Sequence, residues 1–210
     1  MKVEFFHDVI CSFCFPMSYK MKEVLKEMPD LDIVHRSFVL AWENDNLISM
    51  FGSLEDAKTE IMNHWEHANA TDPLHRFNIE RMKEQDFTFP TSKNPLLAAK
   101  AAGIIGGENS YWDVFDVLQE AMFVKSEDIS SIVIIEKCIK ETNIDFDKWK
   151  KQFENPITLQ KINEDLQLVK KYNIQSVPTL VIDGKYLING SHPSSSIISE
   201  LNKIRENERK

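Results

Sequence analysis

The hydrophobic period changes twice within the first forty residues, and this change constrains the fold more than any other feature of the chain. Val3 to Val9 (VEFFHDV) is rich in β-branched and aromatic residues and nearly continuous in apolarity, the pattern of a strand covered on both faces. From Met17 the apolar positions Met17, Met21, Val24, Leu25 and Met28 recur at helical spacing, until Pro29-Asp30 stops the run. Leu31 to Phe38 then returns to strand character. A strand, a helix and a strand in this order make a βαβ unit whose first strand is expected near the centre of a sheet. Cys11-Ser12-Phe13-Cys14 stands at the first junction, where the strand hands over to the helix.

From Ser53 to about Phe153 the chain reads as helices only. Ser53-x-x-Asp56 is a capping box, Pro95 marks a first helical turn, Gly106-Gly107 ends that helix, and Asn109 and Ser130-Ser131 precede further helical runs. After Pro156 a helix carrying Leu159, Ile162, Leu166 and Val169 closes near Asn173. Thr179 to Ile182, Asp183-Gly184 and Lys185 to Ile188 predict a hairpin with a two-residue type I′ turn. A final amphipathic helix is expected from Pro193 to about Ile204, with a frayed polar tail after it. The pattern predicts an α/β fold: a discontinuous sheet-bearing domain at 1–48 and 156–210, interrupted by an all-helical insertion domain at 49–155.

Charge and length remove several functions. The 210 residues carry 25 Lys plus Arg against 33 Asp plus Glu, a net charge of −8, so nucleic acid and anionic membrane surfaces are not expected partners. No apolar run reaches the roughly 18 to 20 residues that span a bilayer. The N-terminal MKVEFFHDVIC lacks the basic and apolar regions of a secretory signal, so a soluble, cytoplasmic protein is expected. Three cysteines are odd in number and too few for a disulfide-stapled scaffold, which leaves Cys11 and Cys14 as a C-x-x-C of redox or metal-binding type.

The chemistry of that spacing favours redox. A cysteine where a helix begins faces unpaired backbone N–H groups and the positive end of the helix dipole, which stabilise thiolate over thiol. Cys11 is expected to attack, and Cys14, three residues on, to resolve the mixed disulfide that forms. A closed zinc site needs four ligands, and no second cysteine or histidine cluster supplies them, so no metal is expected. His64 and His67 read as a helix flank and Cys138 as a small buried hydrophobe. Trp42, Trp65, Trp112 and Phe115 could line a cleft over the dithiol, with ordinary core packing the better expectation for most of them. On a strand Glu4, Phe6 and Asp8 share one face, so either acid could help deprotonate Cys14 through water; a solvated or capping carboxylate is an equal expectation.

The segments D-V-I-C-S-F-C-F at 8–15, A-M-F-V-K-S-E-D-I-S at 121–130 and K-Y-N-I-Q-S-V-P-T-L-V-I-D-G-K-Y-L-I-N-G-S-H-P at 171–193 give the chain a recognisable pattern. It resembles the DsbA-family thiol–disulfide oxidoreductases, of the FrnE-like branch, along almost its whole length. The resemblance implies a thioredoxin-like fold with a large helical insertion and exchange at Cys11 and Cys14. It implies a cis bond between Val177 and Pro178, whose backbone pairs with an extended substrate, and places Ser12 and Phe13 beside the substrate as well. Ser12-Phe13 stands where that branch usually carries Pro-Trp, which leaves the redox direction open. Phe5 stands where thioredoxins and periplasmic DsbA proteins carry a buried acid. No cofactor beyond the dithiol is implied; the partners are disulfide-bearing proteins or small-molecule thiols, glutathione among them, and the oligomeric state is left open. Glutathione-dependent isomerases and kappa-type transferases resemble the same architecture but usually carry serine in place of Cys11. A third reading is a protein-binding adaptor whose dithiol senses oxidation.

Overall fold

The computed structural model describes residues 1–208, and its first three elements are β1 (Lys2–His7), α1 (Cys14–Glu27) and β2 (Asp32–Ser37). A helical stretch follows: α2 (Asn44–Phe51), α3 (Leu54–Thr71), α4 (Ile79–Lys83), α5 (Lys93–Phe123), α6 (Ile132–Lys140) and α7 (Phe146–Phe153). The chain ends with α8 (Pro156–Lys171), β3 (Thr179–Ile182), β4 (Tyr186–Asn189) and α9 (Ser194–Glu208).

The four strands lie in the order β2-β1-β3-β4, with β1 parallel to β2 and antiparallel to β3. β1 is central, and its two parities meet different partners. Val3 and Phe5 face the main core with Met17, Met21 and Val24 of α1 and Ile197 and Leu201 of α9. Phe6 enters a smaller cluster with Ile174 and Val181, against which Leu168 and Val169 of α8 pack. Burial on both sides explains why the strand is apolar at nearly every position. At the other edge of β1's neighbour, two outward N–H groups of β2 are taken by carboxylates: His35 N–H donates to Glu108 (2.7 Å) and Ser37 N–H to Asp165 (2.9 Å). Side chains thus close an edge that would otherwise offer itself to another strand.

Three local expectations change, and one holds. The helix α2 was not expected, and the division at 48/49 falls inside it; its start uses Glu43 and Asn46 as a reciprocal capping box, an unusual pair of residues for that role. The two helices expected on either side of Gly106-Gly107 are present: they meet within α5 at a kink where Gly107 takes the non-helical φ of +77° and ψ of −171°. In the hairpin Asp183 and Gly184 both take positive φ (49° and 69°), as a type I′ turn requires, but β4 pairs from Tyr186, one residue later than expected. Finally α9 runs to Glu208 rather than ending near Ile204, because Arg205 bonds Asp30 (2.7 Å) and Glu208 accepts from Lys185 and the Tyr186 hydroxyl. Residues 209 and 210, the end of the expected frayed tail, lie outside the described residues.

Candidate active site

The dithiol loop is built by the end of β1. Asp8 to Phe13 turns without regular structure: Cys11 N–H donates to the Asp8 carbonyl (3.2 Å) and Cys14 N–H to the Cys11 carbonyl (3.1 Å). The helix proper begins at Cys14, so Cys11 lies three residues ahead of α1, further from its first turn than the spacing suggested. Pro16 occupies the first turn, where a missing N–H costs no internal bond. Both cysteines are free thiols. Cys14 is fully buried and Cys11 is 4% exposed, so Cys11 is the sulfur nearer to solvent.

Cys11 faces the other end of the chain. Its Sγ lies 3.7 Å from the Val177 carbonyl oxygen, to which the thiol donates. The Val177–Pro178 peptide is cis. Val177 is half-buried and Pro178 buried, while Ser12 is at the margin of burial and Phe13 half-exposed beside the dithiol. The fold therefore gathers Cys11, Ser12, Phe13, Cys14, Val177 and Pro178 in one place, although the two segments are 166 residues apart.

Burial raises the Cys14 thiol well above its ordinary range; a hydrogen bond and the charge of Cys11 add to this, and the Asp8 charge does as well, against a lowering contribution from the Asp8 backbone. A thiol held this firmly as the neutral form needs a base before it can attack. Asp8 is completely buried, and burial pushes its carboxyl up to about 6 despite four hydrogen bonds that favour its charge. Its Oδ2 accepts from Leu40 N–H (2.7 Å) and the Ser92 hydroxyl (2.5 Å), and its Oδ1 from Ile10 N–H (3.3 Å).

Glu4, on the same strand parity, has a different environment. Burial works to raise its carboxyl, yet the hydrogen bond and charge of Arg36, with help from Lys2 and Tyr172, hold it below its ordinary value. Arg36 Nε donates to Glu4 at 2.8 Å and Tyr172 at 3.1 Å, and Arg36 continues to Asp165 (3.2 Å), which also binds Lys100 (2.5 Å). Its oxygens are committed to this network, whereas those of Asp8 meet only hydrogen-bond donors.

Spacing did not reveal three further groups. Ser92, at the head of α5, and Leu40, in the loop after β2, reach Asp8 from far along the chain. Gln119 of α5 is fully buried and donates to the Val9 carbonyl (3.1 Å), which supports the dithiol loop from below. The histidines read as scattered include one real pair: His7 Nε2 and His35 Nδ1 are 3.1 Å apart, both rings buried among Tyr111, Trp112 and Phe115. His64 and His67 are exposed on α3. Cys138 is 2% exposed, and burial, with Glu127 and Glu141, pushes its thiol up to about 11. Trp65 and Phe115 are fully buried core residues and Trp112 nearly so, its Nε1 donating to Ser18 (2.6 Å), while Trp42 lines open clefts. Among the described residues no three His, Cys, Asp or Glu side chains form a group able to hold a metal ion, and no helix is long and apolar enough to cross a membrane.

Known structures share this fold. A candidate protein disulfide isomerase from Nitrosomonas europaea is 18% identical, with a TM-score of 0.80 over 98% of each chain. The cytosolic disulfide reductase DsbM from Pseudomonas aeruginosa, solved with GSH, is 14% identical, with a TM-score of 0.74 over 96% of this chain and 100% of its own. A 2-hydroxychromene-2-carboxylate isomerase is 13% identical, with a TM-score of 0.67 over 100% of this chain and 98% of its own. At such identities the likeness concerns the fold, which is α/β and thioredoxin-like. No curated protein matches the chain by sequence. A domain family does: residues 2–202 match the DSBA-like thioredoxin domain, and the chain belongs to that family.

Proposed function

We propose that this protein is a thiol–disulfide oxidoreductase of the FrnE-like DsbA type, acting in the cytoplasm on disulfides of proteins or small molecules through Cys11 and Cys14. The observation that carries this reading is the asymmetry of the free dithiol: a more accessible Cys11 against the Val177 carbonyl, and a fully buried Cys14 whose thiol feels the charge of the buried Asp8.

The Cys11 thiolate attacks one sulfur of a substrate disulfide, forming a mixed disulfide and expelling the other sulfur as a thiolate. An extended substrate segment pairs with the backbone at Val177, beside Ser12 and Phe13, as an added strand. Cys14 then gives its proton to the Asp8 carboxylate and attacks Cys11 Sγ. The bond from Cys11 to the substrate breaks, the substrate departs as its second thiolate and takes up a proton, and the protein is left with a Cys11–Cys14 disulfide. Two electrons have passed to the substrate. The reverse sequence oxidises a substrate dithiol, and the midpoint potential decides which direction prevails.

The test is turnover. Dithiothreitol-dependent reduction of a disulfide substrate is expected, with Cys11→Ser abolishing it; unchanged turnover in that variant removes the proposal. The match in fold to an isomerase favours one second reading, a glutathione-dependent isomerase or transferase. Glutathione conjugation that survives Cys11→Ser would select it. Capture of a partner by Cys14→Ser without catalysis of either kind would select a redox-sensing adaptor.

A further inference from the structure

The head of α5 spends its hydroxyl in an unexpected way. Serine at a helix start ordinarily accepts a hydrogen bond from an N–H of the first turn, and Ser92 does not. Its Oγ, fully buried, donates to Asp8 Oδ2 (2.5 Å) and accepts from Ala41 N–H (3.1 Å), while Ser92 N–H donates to the Ala41 carbonyl (2.7 Å). Leu40 N–H donates to the same Asp8 oxygen at 2.7 Å. One residue of the helical insertion therefore locks the loop after β2 and reaches, through it and directly, the carboxylate beneath the dithiol.

We propose that Ser92 is a positioning residue for thiol–disulfide exchange: by donating to Asp8 it holds that carboxylate ionised and aimed, so that the helical insertion sets the pH at which Cys14 can react. This rests on the reading of Asp8 as the acceptor of the Cys14 proton. Each hydrogen bond to the ionised form favours it, so the Ser92 hydroxyl opposes the effect of burial on Asp8. The groups facing Asp8 are the N–H donors of Val9, Ile10 and Leu40 and the hydroxyl of Ser92, and the titratable side chains that feel its charge are Cys14 on α1 and Tyr111 on α5. Removing the hydroxyl leaves burial less opposed. Asp8 then keeps its proton to higher pH, and below that pH it cannot accept another from Cys14.

The experiment follows Cys14 alone. Reduced protein carrying Cys138→Ala is mixed with 5,5′-dithiobis(2-nitrobenzoate), and two equivalents of thionitrobenzoate are counted: the first released by Cys11, the second by attack of Cys14 on the mixed disulfide. The rate of the second release is expected to rise through a midpoint near 6 in the protein with Ser92. In Ser92→Ala that midpoint moves up by about one pH unit, a tenfold change in proton affinity, while the first release is unaffected. Ser92→Gly, tolerated at helix starts, moves it in the same direction, and Ser92→Thr, which keeps the donor, restores it. The Asp8 carboxyl carbon resonance titrates in step. A midpoint that stays in place in both Ser92→Ala and Ser92→Gly overturns the role of Ser92, as does loss of cooperative folding in both, since the hydroxyl is then a scaffold element. Asp8→Asn separates the two ideas: its pH limb is expected to vanish, and persistence of that limb overturns the reading of Asp8 on which Ser92 depends.

Discussion

Two carboxylates stand four residues apart, Glu4 within β1 and Asp8 in the turn just beyond it, both buried, and their protons are held in opposite ways. Glu4 meets a guanidinium, a phenol and a lysine, and its carboxyl lies below the ordinary value; Asp8 meets hydrogen-bond donors and, among the described residues, no paired cation, and lies near 6. Burial raises both carboxyls, and it is deeper around Asp8 than around Glu4. They differ as well in whether a full positive charge stands opposite. With Arg36 in place Glu4 is a fixed anion that ties β1 to β2 and, through Asp165, to α5 and α8. Without such a charge Asp8 is left able to change protonation near neutrality, as the proposed transfer of a proton from Cys14 requires.

The largest break in this comparison comes from neutralising each acid in turn. Asp8→Asn is expected to slow steady-state disulfide reduction at pH 7 by about 10²-fold, the usual scale for losing a positioned base, and Glu4→Gln to leave it within about twofold. Equal losses in the two variants would mean that both act through folding. Turnover of the two proteins at matched folded fraction, from pH 5 to pH 8, decides this.

How much of this contrast was legible in the sequence follows from which contacts are local. The βαβ start, the central place of β1 and the left-handed pair Asp183-Gly184 depend on period and turn chemistry within a few residues, and the sequence pattern shows them directly. The cysteine pair and Val177-Pro178 are visible as short motifs, and the strand parity of Glu4 and Asp8 is visible too. What parity does not show is the partner of each acid. Arg36 reaches Glu4 because the parallel register sets Glu4 against Val34, two residues before Arg36, and register is a property of two strands together. Ser92, 84 residues from Asp8, reads as an ordinary helix cap, and Gln119, 110 residues from Val9, as one more polar helix residue. The helix α2 escaped because a glutamate at the cap is an uncommon start signal.

A smaller effect lies in the pH dependence of stability, where the acid near the dithiol and the histidine pair oppose each other. Burial depresses both rings, with Lys100 contributing to each; His7 also feels His35, which is lowered to about 3. Their folded values lie below the unfolded one, so stability is whole above about 6.5 and is lost as pH falls and the unfolded chain takes protons the fold refuses. At pH 5 this costs about 2 kcal/mol for each ring. Asp8 has the opposite sign: its folded value is raised, so stability falls as pH rises from 3.8 to about 6 and returns in acid, by about 1.5 kcal/mol at pH 5. Urea unfolding is therefore expected to show a net loss between pH 7 and pH 5. Asp8→Asn should show a steeper loss than the parent; equal slopes would remove the raised carboxyl from the account.

The smallest expected effect sharpens the other half of the comparison. Glu4→Gln keeps a hydrogen-bond acceptor for Arg36 and Tyr172 but removes the charge, and Arg36 retains Asp165 at 3.2 Å. Removing one partner of a buried ion pair is costly because it strands the other charge, yet here the remaining carboxylate and the partial exposure of the guanidinium share that burden. The loss of unfolding free energy is accordingly expected to be about 1–2 kcal/mol. Because the Glu4 carboxyl is held below its ordinary value, its contribution is complete above about pH 4.5 and disappears only as pH falls through the lowered folded value. The difference between Glu4→Gln and the parent should thus stay constant from pH 5 to pH 8, whereas the difference for Asp8→Asn changes across the same range. A Glu4→Gln difference that varied between pH 5 and pH 8 would show that this acid also titrates near neutrality, and the distinction drawn from Arg36 would fail.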